Sequence, residues 1–497
     1  MNVKDIRWIL LLFLIILFIR VYLSFLNPLF SSDESYFHIR QVENILNTGK
    51  PLFNDPLSWN GSKHHFFATF HYLAGVLSLI FSKEIIFKVL PQLFAGLLVF
   101  PIYGILKILI KNEDFALVGT SMSAFIPILF VNTVNTFTPL TFGLFLFFLM
   151  TYLFLNLEKN SHLYVILLII FSFSHPLILL FSASLFGYVL FSKIENIKLK
   201  NIEKEIIIFS VFFPLWVYFI FYRNALLIHG KNIVWQNIPD EMLTFYFQNV
   251  SLLGGIYHIG VITLVLGLYT CYSYLFELKD KQTYIMLGTI FVMGVLLWQK
   301  MIALVLGGII IGLFICILSI QGLYDLFNLI KKTKFSKMNN LIMSIIIILF
   351  MITSLIPGVV DAKNKIINTP SKDEINAFNW IKNRLPSSST IIALPEEGNY
   401  LNKLANAKNI IDTDFLIKPN SDMVYNDLKR IYLTHSNIEA VELMSKYKAD
   451  YLLLTQNSKT QFNLKNWAPE DSECFELIYD SEAKIYKKTC RRVKTFE

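Results

Sequence analysis

Phe66-Phe67-Ala68-Thr69-Phe70-His71-Tyr72-Leu73-Ala74-Gly75-Val76-Leu77-Ser78-Leu79-Ile80-Phe81 is the stretch on which the architecture turns, because counting it as a transmembrane span inverts everything that follows it. It is apolar, but short and interrupted by His71, Ala74 and Gly75, and the basic residues decide its reading. If it does not cross, Lys111, Lys159, Lys193, Lys198, Lys200, Lys204, Lys279, Lys281, Lys331, Lys332, Lys334 and Lys337 all share the side of Lys4 and Arg7. The other side then keeps mainly Arg223, Lys231 and Lys300, as the excess of positive charge in cytoplasmic loops requires. The stretch therefore reads as a helix lying on or dipping into the outer face.

Around it the chain is built for a bilayer. Of its 497 residues 55% are apolar and 16% charged, a balance that excludes a soluble domain of this length. Runs long enough to cross the hydrocarbon core fall near residues 8–27, 87–110, 115–131, 139–156, 162–174, 176–191, 206–222, 253–276, 283–298, 302–320 and 340–357, about eleven spans. The first, with Arg20 near its outer end, is too long for a signal-peptide core, and no small-residue cleavage site follows it, so it reads as an uncleaved span. The net charge of +8 sits in short loops between apolar segments, which makes it a topology signal. The lipid bilayer is the partner it implies, and nucleic acid is excluded. The expected organisation is a polytopic α-helical membrane domain over residues 1–360, with a first external loop at 27–86 and a second at 223–252. An extracytoplasmic α/β domain follows over 361–497.

In that last part Ser371, Asp373 and Glu374 open a helix with a capping box, and its apolar face of Ile375, Phe378, Trp380 and Ile381 runs to Pro386. A strand at Thr390–Leu394, helices around Met423–Tyr432 and Ile438–Tyr447, a strand at Tyr451–Leu454 and a closing hairpin over Phe475–Lys487 complete it. Cys474 and Cys490 flank the hairpin and are the pair available for a disulfide if this part faces an oxidising compartment, whereas Cys271 and Cys316 lie in apolar runs.

The residues that point to chemistry are Ser31-Ser32-Asp33-Glu34-Ser35-Tyr36-Phe37-His38-Ile39-Arg40, directly after the first span. Two adjacent carboxylates stand at the membrane surface, and Ile39, Val42, Ile45 and Leu46 mark one face of an amphipathic helix lying flat beneath them. Two readings are open: a catalytic pair, or Asp33 as N-cap and Glu34 as dipole partner of the next helix. His64, His65 and His71 suggest a metal cluster, but their spacing fits polar anchoring at the headgroups as well.

Together with Thr48-Gly49-Lys50-Pro51 and Asn54-Asp55-Pro56-Leu57-Ser58-Trp59, this motif resembles the first external loop of GT-C membrane glycosyltransferases. It is most similar to the archaeal and eukaryotic catalytic subunits of oligosaccharyltransferase, and more distantly to protein O-mannosyltransferases and lipid A aminoarabinose transferases. The resemblance implies transfer of a sugar or glycan from a polyprenyl (dolichyl-type) phosphate-linked donor to an extracytoplasmic acceptor, of a class the sequence does not specify. It implies Asp33 and Glu34 as the catalytic carboxylates, Asp33 favoured, and both as ligands of a Mg²⁺ or Mn²⁺ ion. With the first-loop residues Tyr36, His38, Arg40 and Asp55, the substrate-binding candidates are His175 at the outer end of a span, Arg223, Asp240 and Glu241 in the second outer loop, and Glu396 and Glu397. The chain departs from the family twice. The turn Asn132-Thr133-Val134-Asn135-Thr136-Phe137-Thr138-Pro139 has no carboxylate where the family has a DxD-like pair, and neutral oxygens are poor sole ligands for a hard cation. Leu394-Pro395-Glu396-Glu397-Gly398-Asn399-Tyr400 stands where the family has WWDYG; it reads either as an acceptor contact or as a strand-ending turn with Gly398 at positive φ. The other function class open to the sequence is a non-catalytic polytopic protein, such as a lipid-linked-sugar transporter or an envelope assembly partner. Spans nearly free of charge weigh against translocation.

Overall fold

The computed structural model describes residues 3–248, 251–471 and 473–490. The chain forms two compact units, each discontinuous in sequence: one of residues 1–28, 67–223 and 244–367, the other of 29–66, 224–243 and 368–497.

The first unit is helical throughout, and each of the eleven apolar runs is helical in it. Among the described residues seven helices are long and apolar enough to cross a membrane, among them α1 (Val3–Ser24, apolar from Ile6) and Leu304–Lys331. The pair Glu113–Ala124 and Pro127–Thr133, bent by 48°, makes an eighth crossing if counted as one span, and Leu140–Leu155 and Tyr284–Trp298 are shorter apolar helices. The deciding stretch contains a helix only at Thr69–Leu77, which at 1.5 Å per residue is about 13.5 Å long and too short to cross. Helices pack where side chains are smallest. Gly187 of Leu177–Ile194 meets Gly288 of Tyr284–Trp298 backbone on backbone, so that a Cβ on Gly187 would lie 2.5 Å from the Gly288 carbonyl oxygen. The chain is a multi-pass membrane protein.

The second unit holds a helix from the first loop, α2 (Asp33–Thr48), and a short hairpin of β1 (Asn54–Asp55) and β2 (Ser62–Lys63). It also holds a five-stranded sheet of β3 (Thr390–Ile392), β4 (Lys408–Asn409), β5 (Tyr451–Leu454), β6 (Phe475–Asp480) and β7 (Lys484–Lys488), in the order β4-β3-β5-β7-β6. β4, β3 and β5 are parallel, while β7 runs antiparallel to β5 and β6 to β7. Every residue of β5 is buried, as a central strand covered on both faces requires. Helices Lys372–Arg384, Ser421–Leu433 and Asn437–Lys446 supply Phe378, Leu428 and Met444 to the core. The expected capping box is formed: Ser371 Oγ accepts from Glu374 N at 3.2 Å and Glu374 Oε2 from Ser371 N at 2.7 Å. Trp380 is half-buried against Tyr479. A disulfide joins Cys474 to Cys490 at the base of the hairpin.

Candidate active site

The first loop and the C-terminal sheet meet within the second unit at Asp33. Ser32 is extended and Asp33 opens α2, whose buried face is Tyr36, Ile39, Val42 and Ile45 and whose end is set by Gly49 at φ 75°. α2 packs on the turns Gly398–Tyr400 and Leu401–Ala405 that follow β3. Asp33 Oδ2 accepts from Asn399 Nδ2 at 2.7 Å and Oδ1 from the Tyr400 N–H at 2.8 Å, so both carboxylate oxygens are fixed by one turn. The Tyr36 and Tyr400 rings lie 4.9 Å apart, and the Tyr36 hydroxyl accepts from the Phe30 N–H at 3.1 Å. Asp33 keeps some surface open, yet it is surrounded by enough protein that burial pushes its carboxyl well above the usual range. The Asn399 and Tyr400 donors pull it down, and nearby Asp412 and Glu396 push it up. Asp33 is thus held at a fixed angle by two donors of one turn.

Gly398 does not supply a positive φ. Its φ is −63°, and glycine is needed because a Cβ would lie 2.7 Å from Asp412 Cβ and 2.8 Å from the Ile411 carbonyl oxygen. Beside it Glu397 is buried, accepting from Thr455 Oγ1 at 2.5 Å and from the Leu394 N–H at 3.3 Å, and burial raises its carboxyl to about 8. Glu396 is half-buried. Glu34 is exposed and lies 3.3 Å from the buried His38 ring.

The motif Asn54–Trp59 is a clasp. Asp55 Oδ1 accepts from Arg40 Nη2 at 2.6 Å and from the Leu57 N–H at 2.9 Å. Ser58 Oγ and Trp59 Nε1 donate to Asp412 at 2.5 and 2.8 Å, and the Trp59 N–H donates to Asn409 Oδ1 at 2.8 Å. The His64 ring is buried and bonded through Nδ1 to Asp414, and its Nε2 lies 4.0 Å from Asp55 Oδ2. Burial raises Asp414, but the bond and charge of His64, with Lys418 and the Leu416 N–H, outweigh it and hold the carboxyl below its usual range. Of the two readings open for the histidines, the metal cluster finds no support among the described residues. His64 is locked to a carboxylate, His65 Nδ1 faces the His64 carbonyl at 2.9 Å, and His71 belongs to the other unit.

The remaining candidates have partners of their own. Asp240 and Glu241 dock the second loop on the helix Ser421–Leu433: the Asp240 N–H donates to Asp422 Oδ1 at 3.1 Å, and Lys429 Nζ donates to Glu241 at 2.7 Å. Asn237 anchors the same loop to the Phe415 and Lys418 carbonyls. In the first unit Arg223 is exposed, and His175 Nδ1 accepts from the Leu177 N–H at 3.1 Å, its ring packed where a Cβ on Gly143 would sit 2.6 Å away. Sequence reasoning missed Asp412 and Asp414, although Ile410-Ile411-Asp412-Thr413-Asp414 carries two spaced carboxylates just after a strand.

The donor set does not fit the divalent-cation site that the resemblance implies. Both Asp33 oxygens take N–H donors, and among the described residues no three His, Cys, Asp or Glu side chains group to hold a metal. The side-chain oxygens of Thr133 and Asn135 accept from protein cations, in the carboxylate-free turn.

No protein-family model matches the chain, and no curated protein sequence matches it. Solved structures do. An oligosaccharyltransferase of Archaeoglobus fulgidus superposes with a TM-score of 0.63 at 15% identity, covering 90% of this chain and 69% of that one. The chain has a GT-C fold. ArnT of Cupriavidus metallidurans shares it at a TM-score of 0.54 and 9% identity over 98% of both chains. So does the mycobacterial arabinofuranosyltransferase AftD, at 0.52 and 11%, over 98% of this chain and 40% of that one. The C-terminal α/β part follows the membrane helices, as the sequence implied.

Proposed function

We propose that this GT-C protein is a membrane glycosyltransferase that moves a sugar or glycan from a polyprenyl-phosphate-linked donor to an acceptor outside the cytoplasm. The observation that carries the reading is the first-loop carboxyl of Asp33, fixed through both oxygens by Asn399 and the Tyr400 N–H. A capping residue would spend its oxygens on the N–H groups of its own helix, whereas Asp33 receives its donors from the C-terminal part of the chain. Transfer breaks the bond between the anomeric carbon and the phosphate oxygen, whose electron pair stays on the phosphate. The acceptor's nucleophile bonds to that carbon, and its proton passes to Asp33. Lipid-phosphate ligands in related folds support the donor class: the A. fulgidus enzyme was solved with a dolichol-phosphate and an inhibitory peptide, and ArnT with undecaprenyl phosphate. The lysine asymmetry and the Cys474–Cys490 disulfide support an N-terminus in the cytoplasm and a C-terminal unit outside the cytoplasmic membrane.

The test incubates membranes containing the protein with radiolabelled sugars on polyprenyl mono- and diphosphate. Label leaving the lipid phase only when the protein is present is the expected result. Label that stays on the lipid with every donor and with the native membrane acceptors overturns the reading.

A further inference from the structure

Within the membrane unit a cavity of about 250 Å³ opens where the helices Leu140–Leu155, Leu177–Ile194 and Asn201–Phe221 come together. Phe154, Tyr188 and Ile202, one from each helix, give it apolar walls. Its charged lining is Glu158, Lys159, Lys200, Glu203 and Lys281, brought together from three segments of the chain. Two of the lysines are matched by carboxylates. Lys200 Nζ donates to Glu158, and Lys281 Nζ donates to both oxygens of Glu203, at 2.9 and 2.6 Å. The excess is one positive charge, that of Lys159, which is exposed and whose ammonium has no ion pair or hydrogen bond among the described residues. The amide of Gln282, also in the lining, is likewise uncommitted among them. Asn201–Phe221 is long and apolar enough to cross a membrane, and Ile202 and Glu203 stand in its first turn, so the cavity lies at the depth of the lipid headgroups. Lys159, Lys200 and Lys281 all belong to the lysines that share the side of Lys4 and Arg7.

We infer that this cavity binds the phosphodiester of an anionic phospholipid from the adjoining leaflet, with Lys159 as the anchoring cation. The leaflet is the cytoplasmic one by the lysine asymmetry argued above, and the inference does not depend on the transferase reading. A phosphodiester carries a single negative charge, which matches the single positive charge in excess, and basic pockets between membrane helices on the cytoplasmic side suit such headgroups. Lys200 and Lys281 keep ammonium protons beyond those given to Glu158 and Glu203, and the Gln282 amide adds two donors, so the phosphate oxygens can be met from several directions. A zwitterionic headgroup gains less, because it brings a second cation close to Lys159. The apolar walls favour a lipid over a soluble phosphate, since the glycerol and the first methylenes of the chains can leave water against Phe154, Tyr188 and Ile202.

The experiment titrates the purified full chain in a neutral detergent with a fluorescent phosphatidylglycerol, and with the phosphatidylcholine of the same acyl chains. The expected result is that phosphatidylglycerol binds about tenfold more tightly. Lys159→Gln removes most of that preference and Lys159→Arg keeps it. Because Lys159 is exposed, neither change threatens the fold. Lys204→Gln alters an exposed lysine of Asn201–Phe221 that does not line the cavity, and should leave the preference intact. Glycerol phosphate should not displace the lipid at comparable concentration. Equal affinity for the two lipids, or a Lys159→Gln chain that binds like wild type, would overturn the inference. So would equal losses in Lys159→Gln and Lys204→Gln, which would mean a general attraction of the basic face, and so would displacement by glycerol phosphate, which would make a soluble phosphate ester the occupant.

Discussion

Asp33 and Glu397 are carboxyl groups of the same unit, and burial raises both. Glu397 allows the sign of a pH effect to be worked out. Its folded value of about 8 lies above the roughly 4.3 of an unfolded glutamate, so the folded state holds the proton more tightly. That contribution to stability is complete below about pH 4 and is lost as pH rises through 8. Glu397→Gln keeps the shape and removes the titration. In thermal unfolding of the full chain, the variant should gain on wild type steadily from pH 5 to pH 8, by up to a few kcal/mol, and level off above. A constant difference across that range would show that Glu397 does not carry a raised value. At this scale the sequence was readable where chemistry is local: a carboxylate pair directly after a span announces itself, and Asn399 and Tyr400 lay in a turn already singled out. The clasp was not readable, because His64 and Asp414 stand 350 positions apart and nothing in either neighbourhood names the other. Arg20 showed only as an interruption of a span, since the turn that accepts from it comes 113 residues later.

Helices and strands were legible in proportion to their length. The apolar runs reappear as helices because about twenty apolar residues can satisfy their backbone in a bilayer in few other ways. The helix Lys372–Arg384 follows from its capping box, and β5 from an unbroken apolar run. β4 has two residues, too few to show a period, and the helix Gln456–Phe462 has a polar sequence that packing, not pattern, selects. Close helix crossings are invisible to hydropathy, because glycine adds nothing to an apolar run. The meeting of Gly187 and Gly288 makes a sharp prediction. A Cβ on Gly288 would lie 2.6 Å from the Gly187 carbonyl carbon, so Gly288→Leu must force two backbones apart. We expect a loss of at least about 1–3 kcal/mol, seen as a lower unfolding temperature in detergent, whereas Gly294→Leu, whose Cβ site is open, should change it little. Equal effects at both glycines would contradict the crossing.

The whole molecule is organised differently from its order along the chain. The first loop was expected to belong to the membrane domain, with the C-terminal domain beginning at 361; by its contacts, residues 29–66 group with 368–497. Ser58 and Trp59 satisfy the buried Asp412 and His64 the half-buried Asp414, so residues 368–497 alone should unfold at lower temperature than the same fragment with a peptide of residues 29–66. No gain on adding the peptide would mean that the clasp contributes little. The grouping also explains the position of the catalytic candidate, which belongs by sequence to the first loop and by contact to the C-terminal sheet. The most direct test of the central claim is therefore the rate of sugar transfer from a polyprenyl-linked donor in membranes carrying equal amounts of folded wild type, Asp33→Asn and Glu34→Gln. Asp33→Asn should fall by about 10²- to 10⁴-fold, as the loss of a general base does, with a smaller loss in Glu34→Gln. Near-normal transfer by Asp33→Asn would contradict the account.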